Sequence, residues 1–180
     1  VGPDGAEQRA WWPFPSPAAT WAEALGLHLL RRRPEDGRRG FVVGACLLVR
    51  RAAFEAVGGF DERFWLYGEE ADLCRRFWAA GWSVRHVPEA VATHVGGASG
   101  DGPGGVAFEH FQRGAEHYIA KHHGGAALVV HRLGLLVGSA LRLPALALRP
   151  GDPRIGRRWR MARRLARHLA THPTRVEEVR

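Results

Sequence analysis

An α/β fold that passes into a helical C-terminal region is what this sequence predicts, and three observations predict it. Residues 41–49 (Phe-Val-Val-Gly-Ala-Cys-Leu-Leu-Val) form an unbroken apolar run, which suits a strand buried on both faces. From Glu69 to Ala80 the apolar residues Leu73, Phe77 and Ala80 recur at three and four, with acids in the first turn and Gly81 at the end, the pattern of a helix that hands over to a further strand at Trp82 to Val87. Beyond Val106 the periodicity is helical throughout. With 180 residues, 46% of them hydrophobic and seven of them tryptophan, the chain can bury a real core, which excludes disorder.

Taken in order, residues 1–40 carry Pro13, Pro15, Pro17 and Pro34 around Trp11, Trp12, Phe14 and Trp21, a density of proline that denies a continuous helix or a central strand. One short helix over about 21–30 is expected there. Within the apolar run, Gly44 and Ala45 are small; small residues in a buried strand mark either tight packing or the close approach of a ligand. Arg51 to Val57 reads as a two-turn helix stopped by Gly58-Gly59, and Phe60 to Gly68 as an aromatic-rich loop. Pro88 ends the strand after Gly81, Val91 to Val95 is extended, and a glycine-rich run covers 96–105.

A helix over 106–122 places Phe108, Phe111, Ala115, Tyr118 and Ile119 on one side. The apolar stretch 126–148 is interrupted by Arg132, Arg142 and Pro144, so a core or interfacial helix is expected rather than a membrane-spanning one. Residues 157–172 set Trp159, Met161, Ala162, Leu165 and Leu169 among arginines at helical spacing, the pattern of a basic amphipathic helix. The chain divides on this reading into 1–105 and a helical 106–180.

The formal charge of +8 and a pI near 11 raise anionic partners, nucleic acid or membrane. The excess sits at the edges, in Arg31 to Arg33 with Arg38 and Arg39, and again from Arg154 to Arg167. Lys121 is the only lysine, and an Arg-, Ala- and Gly-rich composition is also what GC-rich coding produces. Cys46 and Cys74 each stand in an apolar stretch without ligand spacing, so buried free thiols in a reducing, cytosolic setting are expected. No charged and then apolar leader opens the chain; its start at Val1-Gly2-Pro3 reads as mid-loop, as in a fragment.

Chemistry can be carried by Tyr67-Gly68-Glu69-Glu70-Ala71-Asp72, the turn Gly58-Gly59-Phe60-Asp61-Glu62, and His94. A carboxylate in the first helical turn is held ionised by the helix dipole, which serves a base and serves ordinary capping equally. Trp65 and Tyr67 can stack on a ligand ring or pack as core aromatics.

The order and spacing from Gly44 to Ser99 resemble the family 2 glycosyltransferases of the GT-A, Rossmann-like fold, rhamnosyltransferase-like members in particular. The resemblance runs through Gly44-Ala45, Leu48-Val49-Arg50-Arg51, Val57-Gly58-Gly59-Phe60-Asp61-Glu62-Arg63-Phe64, Tyr67 to Arg76, Ala80-Gly81-Trp82, Val87-Pro88 and His94 with Gly96-Gly97.

The resemblance implies the C-terminal, acceptor-side part of an inverting enzyme that moves a sugar from a nucleoside diphosphate-sugar to a glycan or lipid-linked acceptor at the inner membrane face, with 106–180 as the membrane-associating part. It implies Glu70 as general base with Glu69 beside it, where the family usually has aspartate at the position of Glu70. Gly44, Ala45, Trp65, Tyr67 and Asp72 fall on the acceptor side, although for Asp72 a structural role, orienting Arg75 or Arg76 or capping the helix, is favoured. His94 matches a ligand of a divalent Mg or Mn ion. Such ions prefer oxygen, so one imidazole does not make the site. The sequence holds no DxD motif and no opening nucleotide-binding strand and loop, so the donor and metal sites are expected outside it and the chain is expected to be inactive alone. A basic module binding membrane or, without sequence specificity, nucleic acid is the alternative; an inactive remnant is another.

Overall fold

Two short strands and six helices account for the regular structure of the computed structural model, which describes residues 1–30, 40–95, 106–147, 153–172 and 174–176. β1 (Trp11–Trp12) pairs antiparallel with β2 (Phe41–Val42), Trp11 opposite Val42 and Trp12 opposite Phe41. α1 (Pro17–Ala24) begins where Ser16 accepts a hydrogen bond from the Ala19 amide at 3.2 Å, with Pro17 at the position where a missing N–H costs nothing. A single 3₁₀ turn, Leu27–Leu30, follows it. α2 (Arg51–Ala56), α3 (Glu69–Ala79), α4 (Val106–His123), α5 (Gly125–Ala147) and α6 (Pro153–Thr171) complete the chain.

The apolar residues of α3 gather the first core. Leu73, Cys74 and Phe77 pack with Trp11, Val42, Ala53 and Val84, and truncating Phe77 to alanine would cost about 3–5 kcal/mol by the usual transfer-plus-cavity sum. Phe64 and Ala71 join Tyr118 and Ile119 of α4 and Leu128 of α5 in a second core, and Phe14 and Phe41 pack against both. α5 in turn packs on α1, α4 and α6. Gly134 and Gly138 let α1 come close: a β-carbon at 134 would meet Trp21 at 3.1 Å, and one at 138 would meet Ala24 at 3.2 Å. The Trp21 indole donates to the Val130 carbonyl at 3.0 Å across this seam.

Helix predictions hold better than strand predictions. The expected strand 41–49 pairs over two residues only and then turns at Gly44-Ala45, and residues 82–87 run without strand pairing. A strand buried on both faces needs neighbours on both sides; the described residues hold a single two-stranded sheet. The helix expected over 21–30 begins earlier, at the Ser16 cap, and ends at Ala24. Cys74 is buried as expected, but Cys46 is exposed, because the turn carries it out of the core. The basic run at 31–39 and the glycine-rich run at 96–105 lie outside the described residues.

The stretch Gly125–Pro144 is long and apolar enough to cross a membrane. Its centre holds Arg132, fully buried with Glu116 at 2.6 Å, and α1, α4 and α6 pack on it, while Val130, Leu133 and Leu141 stay exposed. α6 has its expected amphipathic pattern, and Met161 and Leu165 face the protein, at 4% and 0% exposure, while Trp159 stays outside.

Candidate functional site

Two consecutive left-handed residues deliver the chain into α3: Tyr67 at φ 69° and Gly68 at φ 95°. Glycine takes this conformation freely, whereas a tyrosine there is uncommon and is held by its surroundings. The sharp reversal lets Glu70 reach back, its Oε2 accepting from the Gly68 amide at 3.2 Å. The carboxylate thus caps the helix from its own first turn, in the positive end of the dipole. Glu69 is half-buried, with Oε2 enclosed and unpartnered; burial pushes its carboxyl pKa up, and the neighbouring Glu70 charge adds to the rise.

The turn after β2 closes one side. Gly44 stands directly against Glu70, so that a β-carbon at 44 would touch Glu70 Cβ at 3.7 Å and its Cγ at 4.0 Å. Ala45 follows it in the exposed turn. Gly44 and Glu70 therefore meet at one place, with Glu69 and Tyr67 flanking Glu70 in the chain. Tyr67 lies edge-on to Phe111 of α4 at 6.1 Å, a packing contact, while Trp65 in the same loop is 73% exposed.

Asp72 turns away from this place. Its carboxylate is wholly buried, with Arg76 on Oδ2 at 2.8 Å, and Lys121 and His122 on Oδ1 at 2.6 and 2.7 Å. Burial pushes its pKa up, but His122, Lys121 and Arg76 together outweigh that and hold it low. Both oxygens are engaged in joining α3 to α4, and the pairing with Arg76 is the structural role that the sequence favoured for Asp72. Lys121 also reaches Asp61 at 2.7 Å, where Arg63, followed by Lys121, holds the carboxyl below the usual carboxylate range. Pattern reading offered the Asp72–Arg76 arm of this network, but not Lys121, His122 or Asp61, which come from other segments.

His94 lies on the extended segment 91–95, against the N-terminal residues. Its Nδ1 is 2.9 Å from Gln8 Oε1 and its carbonyl accepts from Gln8 Nε2 at 3.1 Å. Since an amide oxygen only accepts, Nδ1 carries the proton in this contact. Among the described residues no group of three or more His, Cys, Asp or Glu is placed to hold a metal ion. The described residues alone do not fit a divalent cation, and no step below passes through one.

A carboxylate pair at a helix start, beside a glycine turn and an exposed indole, can accept a proton from a bound hydroxyl. The model of the glycosyl transferase family group 2 matches residues 18–139, which include every part of this place. The chain belongs to that family. It is similar to the N-acetylglucosaminyl-diphospho-decaprenol L-rhamnosyltransferase of Mycobacterium tuberculosis, 40% identical over 96 residues, covering 53% of this chain and 31% of the relative. It is also similar to rhamnosyltransferase WbbL of Escherichia coli, 41% identical over 51 residues, 28% of this chain and 19% of the relative. With the O-antigen biosynthesis protein RfbC of Myxococcus xanthus it shares 40% identity over 58 residues, 32% of this chain and 4% of that protein. The matched part of the chain thus spans about a third of the length of its mycobacterial relatives. No solved structure matches the chain.

Proposed function

We propose that this chain is the acceptor-side part of an inverting family 2 glycosyltransferase of the GT-A fold, in which Glu70 is the general base. The observation that carries the reading is the Glu70 carboxylate, drawn back over the start of α3 by the Gly68 amide with the Gly44 turn against it. The acceptor hydroxyl attacks the anomeric carbon from the face opposite the leaving nucleoside diphosphate. As the new carbon–oxygen bond forms and the bond to the diphosphate breaks, the hydroxyl proton passes to Glu70, and one displacement inverts the centre. Glu69, enclosed and raised in pKa, positions Glu70. Exposed Trp65 offers a face on which a sugar ring stacks.

The names of the relatives support L-rhamnose as the sugar and a diphospho-polyprenyl lipid as the carrier of the acceptor. Contact with the inner face of the membrane fits such an acceptor, and exposed Leu25, Leu27 and Leu29 beside α1 with Leu133 and Leu141 on α5 supply an apolar surface for it. On this reading the donor, and Mg or Mn if His94 contributes to its site, are held by residues outside this sequence, and the 180 residues alone do not turn over a sugar nucleotide.

The test is Glu70→Gln in the native transferase with a nucleoside diphosphate-rhamnose donor and a lipid-linked acceptor. A base of this kind contributes about 10²–10⁴-fold, so kcat should fall by that factor with donor KM little changed, and Glu70→Asp should keep substantial turnover. Full turnover in Glu70→Gln would remove Glu70 from the chemistry.

A further inference from the structure

The helical C-terminal part carries a groove that sugar transfer at Glu70 does not use. It runs between α4 and α6 with a volume of about 800 Å³, inside the roughly 300–1,000 Å³ of small-molecule sites. Its walls hold Arg113, Arg160, Arg163, Arg164, Arg167 and Arg175 against one acid, Glu109.

Spacing explains the concentration. Residues 160, 163, 164 and 167 are three and four apart and share a face of α6, while Met161 and Leu165 turn into the core. Like charges at this spacing repel along a helix, and the protein offsets the repulsion only in part. Arg160 lies 3.5 Å from Glu109, and Arg164 shares the buried Glu116 with Arg132. Arg163 and Arg167 are exposed, and among the described residues no ion pair engages either. His168, Thr171 and His172 add polar groups along the same wall.

We propose that this groove binds phosphate oxyanions, of the kind a diphosphate group or an anionic lipid headgroup presents. Planar guanidinium forks match phosphate oxygens two at a time. An anion seated among them relieves the repulsion that Arg163 and Arg167 leave in place among the described residues. The site is independent of Glu70 and of sugar transfer.

Pyrophosphate titrated calorimetrically into the 180-residue chain should bind, more weakly as salt rises. The double variant Arg163→Gln/Arg167→Gln, both positions exposed, should weaken binding tenfold or more with the helical circular dichroism unchanged. Arg51→Gln, on the exposed side of α2 where Arg51 pairs with Glu55, should leave it as it is. Vesicles of phosphatidylcholine with about a quarter phosphatidylglycerol separate the two sources of phosphate. Vesicle binding lost in the double variant, with pyrophosphate unbound, assigns the groove to lipid headgroups; pyrophosphate bound in solution assigns it to a mobile diphosphate. If neither probe binds, or if Arg51→Gln weakens binding as much as the double variant, the groove is not an anion site.

Discussion

Gly114 of α4 lies against the peptide that joins Tyr67 to Gly68, so that a β-carbon at 114 would come within 2.8 Å of the Tyr67 carbonyl carbon and closer still to its oxygen. In a helix interior alanine is ordinarily about 1 kcal/mol better than glycine. Here the sign should reverse. Gly114→Ala has to push α4 off the left-handed turn that feeds α3, and overpacking of this kind costs roughly 1–3 kcal/mol. The expected result is a lower midpoint of urea unfolding, together with reduced turnover in the native transferase because Glu70 is displaced with the turn. A variant as stable as the parent would mean that α4 does not rest on residues 67–68.

Asp72, placed on the acceptor side by the resemblance but favoured from the sequence for a structural role, is found between α3 and α4. Asp72→Asn leaves Arg76, His122 and Lys121 short of their shared charge in a buried place, where loss of such a partner costs about 3 kcal/mol. Stability measured by urea unfolding at pH 7 should fall by that amount. Because the folded pKa is lowered, the contribution of Asp72 is present above the ordinary carboxylate range and is lost as pH falls through the folded value. The parent and Asp72→Asn should therefore converge in strong acid. Unchanged stability with a raised acceptor KM would instead return Asp72 to the acceptor site.

How far the sequence reached follows from what each pattern depends on. α3 was legible because its acids, its apolar spacing and Gly81 are local signals, and its ends agree with the expectation to within a residue. Gly44 and Glu70 were both named from the resemblance, and their contact is a property of the fold. The apolar run after Gly40 misled because apolar residues do not by themselves show what will cover them: with no neighbouring strand beyond β1 among the described residues, of the run only Val42 is buried and Leu48 is fully exposed. α6 was legible for the same reason as α3: its amphipathic pattern is local, and its apolar residues Met161 and Leu165 pack on the protein. Gln8 against His94, Gly114 against Tyr67 and Lys121 against Asp72 are contacts across 86, 47 and 49 positions, which no local pattern encodes.

Glu116 is fully enclosed with Arg132 on one oxygen at 2.6 Å and Arg164 on the other at 2.7 Å. Burial pushes the Glu116 pKa up, but Arg164 and Arg132 outweigh it, so the carboxylate stays charged. Arg132 also donates to the carbonyls of His172 and Arg175 at 3.1 and 2.8 Å, tying the residues after α6 to α5. Arg132→Met removes all of these and should destabilise by about 3–5 kcal/mol, the range for breaking a buried pair from one side. Glu116→Gln, which leaves two guanidinium groups facing each other, should cost a similar amount. Combining both changes should cost clearly less than the sum, and additivity in a double-mutant cycle would deny the coupling.

His131, one residue before Arg132, supplies a pH dependence of its own. The Thr20 hydroxyl donates to the Ser16 carbonyl at 3.1 Å and so accepts from His131 Nδ1 at 2.7 Å, which fixes the neutral tautomer and leaves Nε2 buried without a partner. Burial pulls the pKa down from 6.5 to about 4, with the charge of Glu116 opposing and those of Arg132 and Arg164 assisting. Between these two values the unfolded chain binds a proton that the folded chain refuses, so stability should fall as pH falls from about 6.5 to about 4. The loss attributable to this group is about 3 kcal/mol. His131→Asn, whose amide can still donate to Thr20, should remove that slope while the carboxylates keep theirs at lower pH. Urea unfolding of both proteins at pH 7.5, 6, 5 and about 4.5 separates the outcomes: parallel curves would mean that His131 is protonated as readily folded as unfolded, and that the seam between α1 and α5 is open to water.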